Sequence, residues 1–386
     1  MEQITVGIIG AGFIGPAHVE AVRRLGFVKV AAIAGTTSER AEQKAAELDI
    51  PQAYGDYREL LNDPNIQVVH NCTPNDVHFE INRDIMLAGK HVMAEKPLAM
   101  NSRESADLLR IARSSGVVHG VNFNYRQFPI LKQLRTLVER GDLGDVHLIH
   151  GSYLQDWLLY ETDYSWRLDP EIGGKTRAVA DIGSHWCDTV QYVSGKRIRQ
   201  VFADFSTVLP MRKRAEQDIA TFGNSVQSTQ DMTEYEVETE DCASVLLRFD
   251  DGTKGVFTVS QVSAGRKNRL SFEMNGAKQS AFWNQEEPHR LWVGHRDRPN
   301  EMLLADPSLF TEEAQSAIHL PGGHNEGWPD ALKNQMLHFY TFIREGKNPS
   351  IDHCDFATFE DGHRSMQLID AILRSNEESR WVTIGE

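Results

Sequence analysis

The segment ITVGIIGAGFIGPAH, residues 4–18, joins an apolar run to three glycines and then to a helical pattern. In such a turn Gly10 permits a sharp bend, Gly12 lets the backbone approach a pyrophosphate, and Gly15 lets the helix pack against the strand. The helix N-terminus supplies amide groups to a phosphate. Because a strand pattern precedes the glycines and a helix pattern follows them, the segment predicts dinucleotide binding rather than a glycine-rich turn without a ligand.

The N-terminal third of the chain repeats this alternation of apolar runs and helical patterns. The runs are ITVGII, VKVAAIA, VVHNC, HVMAEK and VVHGVN. Alternating strands and helices are typical of βαβ units, so the sequence predicts an α/β fold with a doubly wound parallel sheet, a Rossmann domain, over 1–123. Asp56, Asp76 and Ser102 precede helical patterns as cap signals, and Gly116 follows one as a stop signal.

The pattern changes after this domain to a few helices and many β runs, such as VHLIHGSYLQ, VLLRF, GVFTVSQV and LSFEMNG. Hairpin-like turns occur at FDDGTK and near MNGAKQ. These features predict an α+β domain over 124–386 with a mixed, largely antiparallel sheet. We expect late helices over 331–345 and 356–374. The stretch 211–240 is polar and weakly periodic, and we interpret it as a long surface excursion.

Composition restricts the partners and the compartment. The 386 residues carry 55 acidic and 40 basic side chains, a formal charge of -15 that opposes binding to nucleic acid and to anionic lipid. No run of about 18 uncharged apolar residues occurs, and no basic leader precedes the first apolar run, so we expect neither a membrane span nor a signal peptide. The four cysteines lie far apart without metal-type pairs, which favours the cytoplasm and no metal site.

The end of the second apolar run bears on the choice of cofactor. An acidic residue there usually holds the ribose hydroxyls of NAD, but this chain has Gly35, Thr36 and Thr37, with Arg40 close by. Small hydroxyl groups beside an arginine suit a 2′-phosphate. We therefore expect NAD(P), with NADP weakly favoured, and a merely solvated Arg40 is an equal alternative.

The third, fourth and fifth predicted strands of this sheet, VVHNC, HVMAEK and VVHGVN, also end in polar residues. These strand ends lie at the edge of the sheet where ligands bind in doubly wound folds. The Lys96–Pro97 peptide is a candidate for the cis form. Lys96 alone is an ordinary exposed loop charge, but its place makes it a candidate for handling a proton or binding substrate. The predicted cofactor contacts are Gly10, Gly12, Phe13, Ile14, Gly15, Gly35, Thr36, Thr37, Arg40, Thr73, Pro74, Asn75, His78, Glu95, Lys96, Asn124 and Arg126.

The segment ADIGSHWCD, residues 180–188, places Asp181 and His185 four positions apart at the start of an apolar helical pattern. The two side chains share a face if the helix already includes Asp181. His185 is suited to accept a hydroxyl proton near neutral pH, because a helix N-terminus disfavours the imidazolium form. The alternative for Asp181 is an N-cap that bonds amides of the first turn.

Along its whole length the chain resembles the glucose-fructose oxidoreductase, inositol dehydrogenase and rhizopine catabolism (Gfo/Idh/MocA) family. The resemblance rests on five motifs in this order and at suitable separations: GAGFIG, TPNDVH, EKPLA, NYR and ADIGSHWCD. The resemblance implies a Rossmann domain followed by a domain with a large open mixed sheet, whose faces form homodimers or homotetramers. It implies an enzyme that moves a hydride between NAD(P) and a secondary hydroxyl of a sugar, anhydrosugar or cyclitol. It also implies that Lys96, Asp181 and His185 are catalytic, with Lys96 binding or polarising the reacting oxygen.

The segment QDW, residues 155–157, is similar to the branch of this family that contains levoglucosan dehydrogenase. Aromatic faces beside polar side chains are a usual way to hold a sugar ring, so QDW favours a pyranose or anhydrosugar, while a plain core role for Trp157 is nearly as well supported. The predicted substrate contacts are Lys96, Tyr125, Gln155, Asp156, Trp157, Trp166, Arg167, Asp181, His185 and His324.

Two other functions stay open on the sequence. A dinucleotide-sensing regulatory protein of the same fold would not need proton-handling groups, and the presence of these groups favours an enzyme. An enzyme with retained NAD(P) could instead couple oxidation to elimination, or exchange a hydride between two sugars.

Overall fold

The computed structural model describes residues 3–215 and 232–385. Contacts divide the chain into two units, one formed by Met1–Gln127 and Trp328–Met366, the other by Phe128–Gly327 and Gln367–Glu386. No helix in the described ranges has both the length and the apolar character needed to cross a bilayer.

The elements alternate in the N-terminal third and become strand-rich afterwards. The strands are β1 (Ile4–Ile9), β2 (Val28–Ala34), β3 (Gln52–Tyr54), β4 (Val68–Asn71), β5 (His91–Ala94), β6 (His119–Val121), β7 (Val146–Leu154), β8 (Ile198–Ser206), β9 (Met211–Ala215), β10 (Met232–Glu236), β11 (Cys242–Phe249), β12 (Lys254–Ser260), β13 (Arg269–Gly276), β14 (Ser280–Asn284), β15 (Arg290–Gly294), β16 (Glu301–Leu304) and β17 (Val382–Thr383). The helices are α1 (Ile14–Arg23), α2 (Ser38–Glu47), α3 (Tyr57–Asn62), α4 (His78–Leu87), α5 (Ser102–Ser115), α6 (Pro129–Glu139), α7 (Pro170–Gly173), α8 (Ser184–Ser194), α9 (Glu312–Gln315), α10 (Trp328–Arg344) and α11 (Phe359–Glu378).

The first unit contains a parallel sheet with the spatial order β3-β2-β1-β4-β5-β6. This is the strand order of dinucleotide-binding folds, in which the order reverses between the first and fourth strands and ligands bind beyond the carboxyl ends there. The predicted Rossmann sheet is confirmed. The strand β3 was not predicted from the sequence.

The structure tests the four predicted helix-boundary signals. Asp56 caps α3 as expected, and Gly116 ends α5 in the left-handed conformation. The N-cap of α5 is Asn101, not Ser102. Asn101 has the extended backbone that a cap requires, and its side chain accepts a hydrogen bond from an amide of the first turn. Asp76 makes no cap bond to α4, since a short 3-10 turn separates it from that helix.

Helix α10 belongs to the first unit by its packing. Its buried residues Leu332, Met336 and Phe339 share a cluster with Val6 and Ile8 of β1. The contacts therefore join Trp328–Met366 to the N-terminal sheet, whereas the sequence assigned that segment to the second domain. The helices expected at 331–345 and 356–374 are both present, as α10 and α11.

The second unit contains a nine-stranded sheet in the order β16-β15-β14-β13-β7-β12-β11-β8-β17. Only the central β7–β12 pair is parallel among these described strands; the other neighbours are antiparallel. The predicted mixed, mainly antiparallel sheet and the hairpins at FDDGTK and MNGAKQ are confirmed. On one face Trp186 of α8 stacks on Phe257 of β12, with ring centroids 4.7 Å apart.

The interpretation of 211–240 as a surface excursion needs correction at its ends. There β9 and β10 form an antiparallel ladder that pairs Met211 with Glu236. The sequences MRKRA and MTEYE are mostly polar, which hid their strand character. Residues 216–231, between these two strands, lie outside the described residues.

Candidate active site

The glycine turn between β1 and α1 has the close contacts that its sequence predicts. Gly10 has φ +104°, and a Cβ on it would lie 2.4 Å from the carbonyl oxygen of Cys72. A Cβ on Gly15 would lie 2.3 Å from the carbonyl oxygen of Gly10. A Cβ on Gly12 would meet no atom of the described residues within 4 Å. Gly12 therefore borders open space that a side chain would fill, and this fits the approach of a pyrophosphate.

The N-terminus of α1 adjoins this space. Helix α1 begins at Ile14, its N-cap Phe13 is 60% exposed, and its first turn contains no acidic residue. The positive end of the helix is therefore not neutralised by a carboxylate of its own first turn, which suits an anionic ligand.

The carboxyl end of β2 offers hydroxyl groups and one arginine. Thr37 caps α2, and its Oγ1 accepts a hydrogen bond of 3.2 Å from the amide of Arg40. The side chains of Thr36 and Arg40 are exposed, and Gly35 is half-buried. A bulky residue at Gly35 would press on Ala41, because a Cβ there would lie 3.2 Å from the Ala41 amide.

His78, a predicted cofactor contact, connects two loops through its ring nitrogens. It is buried, with Nδ1 2.6 Å from the carbonyl oxygen of Pro97 and Nε2 2.8 Å from that of Thr73. Burial lowers its pKa below the ordinary histidine value. Both ring nitrogens face backbone carbonyl oxygens, and a cofactor contact of His78 stays a prediction. Pro74 is exposed, and Asn75 is buried in the following 3-10 turn.

Glu95 is a buried carboxylate directly before the cis peptide between Lys96 and Pro97. Its Oε1 accepts a 2.6 Å hydrogen bond from Asn122 Nδ2 and lies 3.0 Å from His18 Nε2. Its Oε2 accepts a 3.2 Å hydrogen bond from the Lys96 amide. Burial alone would raise the pKa of Glu95, but His18, Lys96 and Asn122 outweigh it and hold the pKa below the ordinary value.

The residues after β6 are mostly internal. Asn124 and Tyr125 are buried in a 3-10 turn. The guanidinium of Arg126 forms an ion pair with Asp361, with Nη2 3.2 Å from Oδ1.

In the second unit, Asp181 lies in a π-helical turn, Val179–Gly183, that continues directly into α8. Its Oδ1 accepts a 3.3 Å hydrogen bond from Arg167 Nε, and its Oδ2 accepts one of 2.9 Å from Gln261 Nε2. The turn has no side-chain cap bond, so the N-cap alternative for Asp181 is wrong. Short π-helical turns occur frequently at functional sites.

His185 lies one residue into α8 and is 8% exposed. Because helical backbone already begins at Val179, His185 is more than one turn from the helix start. The dipole effect expected for a first-turn histidine is therefore weaker than the sequence suggested, since that effect falls off within one turn.

A second buried carboxylate, Glu240, holds the start of this π turn. Its oxygens accept hydrogen bonds from the amide of Arg177 at 2.9 and 3.0 Å and from that of Val179 at 2.8 Å. Burial raises the pKa of Glu240 to about 6, although these amide bonds act to lower it. The adjacent Asp241 pairs with the buried guanidinium groups of Arg177 and Arg212.

The QDW segment forms part of an internal network. Gln155 is buried, its Oε1 accepts a 2.8 Å hydrogen bond from Trp157 Nε1, and its Nε2 donates one of 2.9 Å to Asn268 Oδ1. Asp156 Oδ2 lies 2.8 Å from Lys267 Nζ. Gln155 therefore orients the Trp157 indole, which is half-buried against a small apolar cluster.

The other predicted substrate contacts of this unit are Trp166, Arg167 and His324. Trp166 lies under the Arg167 guanidinium, with the Arg167 Cζ 4.3 Å from the ring centroid. Trp166, Arg167, Asp181 and Gln261 thus form one connected group. His324 is exposed, and its Nδ1 lies 3.2 Å from a carbonyl oxygen of its own loop.

Comparison with known proteins agrees with this description. Residues 4–123 match the model of an oxidoreductase family with an NAD-binding Rossmann fold, and residues 131–282 match the GFO/IDH/MocA C-terminal domain. The chain belongs to the Gfo/Idh/MocA family.

Relatives within the Gfo/Idh/MocA family match the whole chain. Levoglucosan dehydrogenase of Pseudarthrobacter phenanthrenivorans is 30% identical over 400 residues, covering 100% of this chain and 99% of that protein. Myo-inositol 2-dehydrogenase of Thermotoga maritima is 25% identical and covers 99% and 98%. A solved structure of levoglucosan dehydrogenase in complex with NADH and levoglucosan has a TM-score of 0.88 at 27% identity, covering 100% of both chains.

Sequence reasoning missed several side chains of this Gfo/Idh/MocA chain that hold the predicted ones. Gln261 bonds Asp181, Asn268 bonds Gln155, and Glu240 bonds the π turn. Gln261 follows directly after β12, so a polar residue at the end of the predicted strand GVFTVSQV was an available signal. Glu240 and Asn268 lie in loops, with no comparable signal.

Proposed function

We propose that this chain is an NAD(P)-dependent dehydrogenase that moves a hydride between nicotinamide and a secondary hydroxyl of a sugar, anhydrosugar or cyclitol. The observation that carries the proposal is the full-length similarity to levoglucosan dehydrogenase. Lys96, Asp181 and His185 stand in the motifs that make the chain resemble the family, and we assign the catalytic roles to them.

The cofactor would be held in the first unit. The glycine turn and the first amides of α1, at Phe13 and Ile14, would receive the pyrophosphate. When bound, NAD(P)+ supplies the acceptor for the hydride. The absence of an acid at the end of β2 and the exposed Arg40 support acceptance of NADP, weakly favoured over NAD.

His185 accepts the proton of the substrate hydroxyl as the carbon–hydrogen bond breaks and the oxygen–hydrogen electron pair becomes the second bond of the carbonyl. The ammonium group of Lys96 donates a hydrogen bond to the reacting oxygen and stabilises the charge that develops on it. Asp181, whose two oxygens are fixed by Arg167 and Gln261, accepts a hydrogen bond from a neighbouring substrate hydroxyl. The oriented indole of Trp157 offers a face to the apolar side of a sugar ring.

The assay that tests this function measures the absorbance of reduced nicotinamide with a panel of cyclitols, aldoses, anhydrosugars and glycosides, each with NAD+ and NADP+. We expect turnover with at least one member. No turnover with any member would contradict the proposal, and a preference for NAD of about 100-fold in kcat/KM would contradict acceptance of NADP.

Substitution of the base gives the second test. We expect His185→Ala to lower kcat by about 100-fold or more, with NADH binding unchanged, because the proton then lacks an acceptor. The matched control is His147→Ala, which removes an exposed imidazole of β7. Equal turnover in the two variants would reject His185 as the base.

We also propose that the chain assembles as a homodimer or homotetramer through the large sheet and that it acts in the cytoplasm. One row of paired positions crosses the face opposite α8, mostly with apolar side chains: Met302, Trp292, Phe282, Glu273, His150, Val256, Leu246 and Phe202. Met302 is 51% exposed and Leu246 is 47% exposed, so a second copy would remove apolar surface from water. Four free cysteines support a reducing compartment.

A further inference from the structure

Four buried side chains of the first unit form one chain of polar contacts that ends at Glu95. The Tyr340 hydroxyl lies 2.9 Å from His70 Nε2, and His70 Nδ1 lies 3.0 Å from His18 Nδ1. His18 Nε2 lies 3.0 Å from Glu95 Oε1. His18, His70 and Tyr340 have no exposed surface, and Glu95 is 7% exposed. Three polar side chains without access to water thus line up on one carboxylate.

The carboxylate decides which nitrogen of the facing histidine carries a proton. An ionised Glu95 only accepts hydrogen bonds, so the facing Nε2 of His18 must carry a proton. With both imidazoles neutral, His18 Nδ1 is then an acceptor, His70 Nδ1 carries the proton between the rings, and His70 Nε2 accepts from the Tyr340 hydroxyl. With His18 charged beside Glu95, His18 Nδ1 instead donates to His70 Nδ1, and His70 Nε2 donates to the Tyr340 oxygen. Burial lowers the pKa of His70 well below its ordinary value, which agrees with a neutral ring. The opposite arrangement of neutral rings would require a protonated Glu95.

Glu95 connects this chain of contacts to the backbone of Lys96. Its Oε1 also accepts from Asn122 Nδ2 at 2.6 Å, and its Oε2 accepts from the Lys96 amide at 3.2 Å. Burial raises the pKa of Glu95, but His18 and the charge of Lys96 lower it, so that it stays below the ordinary value. The other titratable groups that influence this cluster are Cys72, whose pKa is raised by burial and by Glu95, and His78.

We propose that His18, His70 and Tyr340 are positioning residues, which hold Glu95 as an oriented carboxylate and through it fix the Lys96 backbone and ammonium group for the substrate oxygen. This inference rests on the proposed function of Lys96. It assigns a role in catalysis to three side chains that touch neither cofactor nor substrate. A chain of buried polar side chains is well suited to this positioning role. Because water cannot replace a lost hydrogen bond there, any other orientation of these side chains is strongly destabilised.

The kinetic test compares substitutions of His70. His70→Leu removes both contacts of the ring, and we expect kcat to fall by about 10-fold or more and its pH profile to shift, with KM for the cofactor little changed. His70→Asn keeps an amide near the position of Nδ1 and should recover most of the lost rate. Tyr340→Phe should have a smaller effect of the same kind.

The matched control is His91→Leu. His91 lies at the opposite end of β5 from Glu95, is largely buried, and accepts a 2.9 Å hydrogen bond from the Val118 amide. We expect this variant to lose thermal stability while the kcat and pH profile stay unchanged. A His70→Leu variant that behaves like His91→Leu would overturn the positioning role.

A spectroscopic measurement on the unaltered protein keeps the inference independent of folding defects in variants. Nitrogen-15 spectra of labelled histidine side chains, assigned by substitution, should show a proton on Nε2 of His18 and a single proton on the ring of His70. A His18 ring without a proton on Nε2, or a His70 ring that gains a second proton near neutral pH, would overturn the chain. If the unaltered enzyme turned over no sugar or polyol, the proposed function would fail, while these spectra would still decide the arrangement around Glu95.

Discussion

Gly12 and Gly15 both lack a side chain, but for different physical reasons. At Gly15 a Cβ would collide with the protein itself, 2.3 Å from the Gly10 carbonyl oxygen. At Gly12 a Cβ would project into open space beside the N-terminus of α1. Folding therefore requires that residue 15 has no side chain, and the approach of a ligand requires the same of residue 12.

The matched pair Gly15→Ala and Gly12→Ala separates these roles. We expect Gly15→Ala to reduce the free energy of unfolding by about 1–3 kcal/mol, because backbone must shift to admit the methyl group. We expect Gly12→Ala to keep the melting temperature and to weaken NADH binding by about 10-fold or more, because the methyl group occupies the ligand's space. Thermal denaturation and fluorescence titration measure the two effects. Wild-type NADH affinity in Gly12→Ala would contradict the assignment of that space.

Sequence reasoning found Asp181 and His185 from residue type and spacing, because four positions bring side chains together in any helix. It could not find the partners of Asp181. Gln261 lies 80 positions further along the chain, and only the pairing of distant strands brings it near. The choice between an N-cap and a fixed carboxylate depended on that contact, so it was settled by the fold rather than by local pattern.

The π turn before α8 depends on a buried acid with an unusual titration. The pKa of Glu240 is raised by burial from 4.5 to about 6, so the folded protein binds a proton there more tightly than the unfolded chain does. Between these two values the unfolded state loses its proton first. The contribution of Glu240 to the free energy of unfolding therefore falls by about 2 kcal/mol as pH rises from about 4.5 to about 6.

Glu240→Gln should remove this fall, because the amide does not titrate. Urea unfolding at a series of pH values measures the slope, and the exposed neighbour substitution Glu238→Gln is the control that should keep it. The variant can be less stable at neutral pH, since an amide nitrogen cannot accept from the turn amides. An equal slope in both variants would contradict the buried titration of Glu240.

Elements with strong periodicity were predictable and short or polar ones were not. The strands β1, β2, β4, β5 and β6 were each marked by an apolar run between helical patterns. The strand β3 has three residues, too few to show alternation. The β9–β10 ladder is mostly polar and, within the part of the chain that the structure describes, forms a separate two-stranded sheet, so its sequence shows no apolar run.

At the scale of the whole molecule, the fold class was predictable but the strand order was not. The edge strands β16 and β17 of the large sheet are separated in sequence by the three helices α9, α10 and α11. Which strands pair is decided by contacts between distant segments, and a single sequence does not display them. The register nevertheless reveals the apolar row that crosses the open face, from Met302 to Phe202.

We expect Leu246→Glu, next to the Phe202 end of that row, to lower the molar mass observed by sedimentation at micromolar concentration. A charge in a buried apolar interface is strongly unfavourable. Ile351→Glu is the control, because Ile351 is 82% exposed and belongs to the first unit, which does not contain the large sheet. A wild-type protein that sediments as a monomer, or a Leu246→Glu variant of unchanged mass, would contradict assembly through the sheet.

The proposed chemistry is tested most directly by the fate of one hydrogen. The sugar or cyclitol with the fastest turnover would be deuterated at its carbinol carbons, and the reduced nicotinamide examined by mass spectrometry. We expect one deuterium on the nicotinamide ring from the wild-type enzyme, formed about 100-fold or more slowly by His185→Ala. Reduced cofactor without deuterium would contradict hydride transfer from the substrate, and an unchanged rate in His185→Ala would contradict the role of that imidazole.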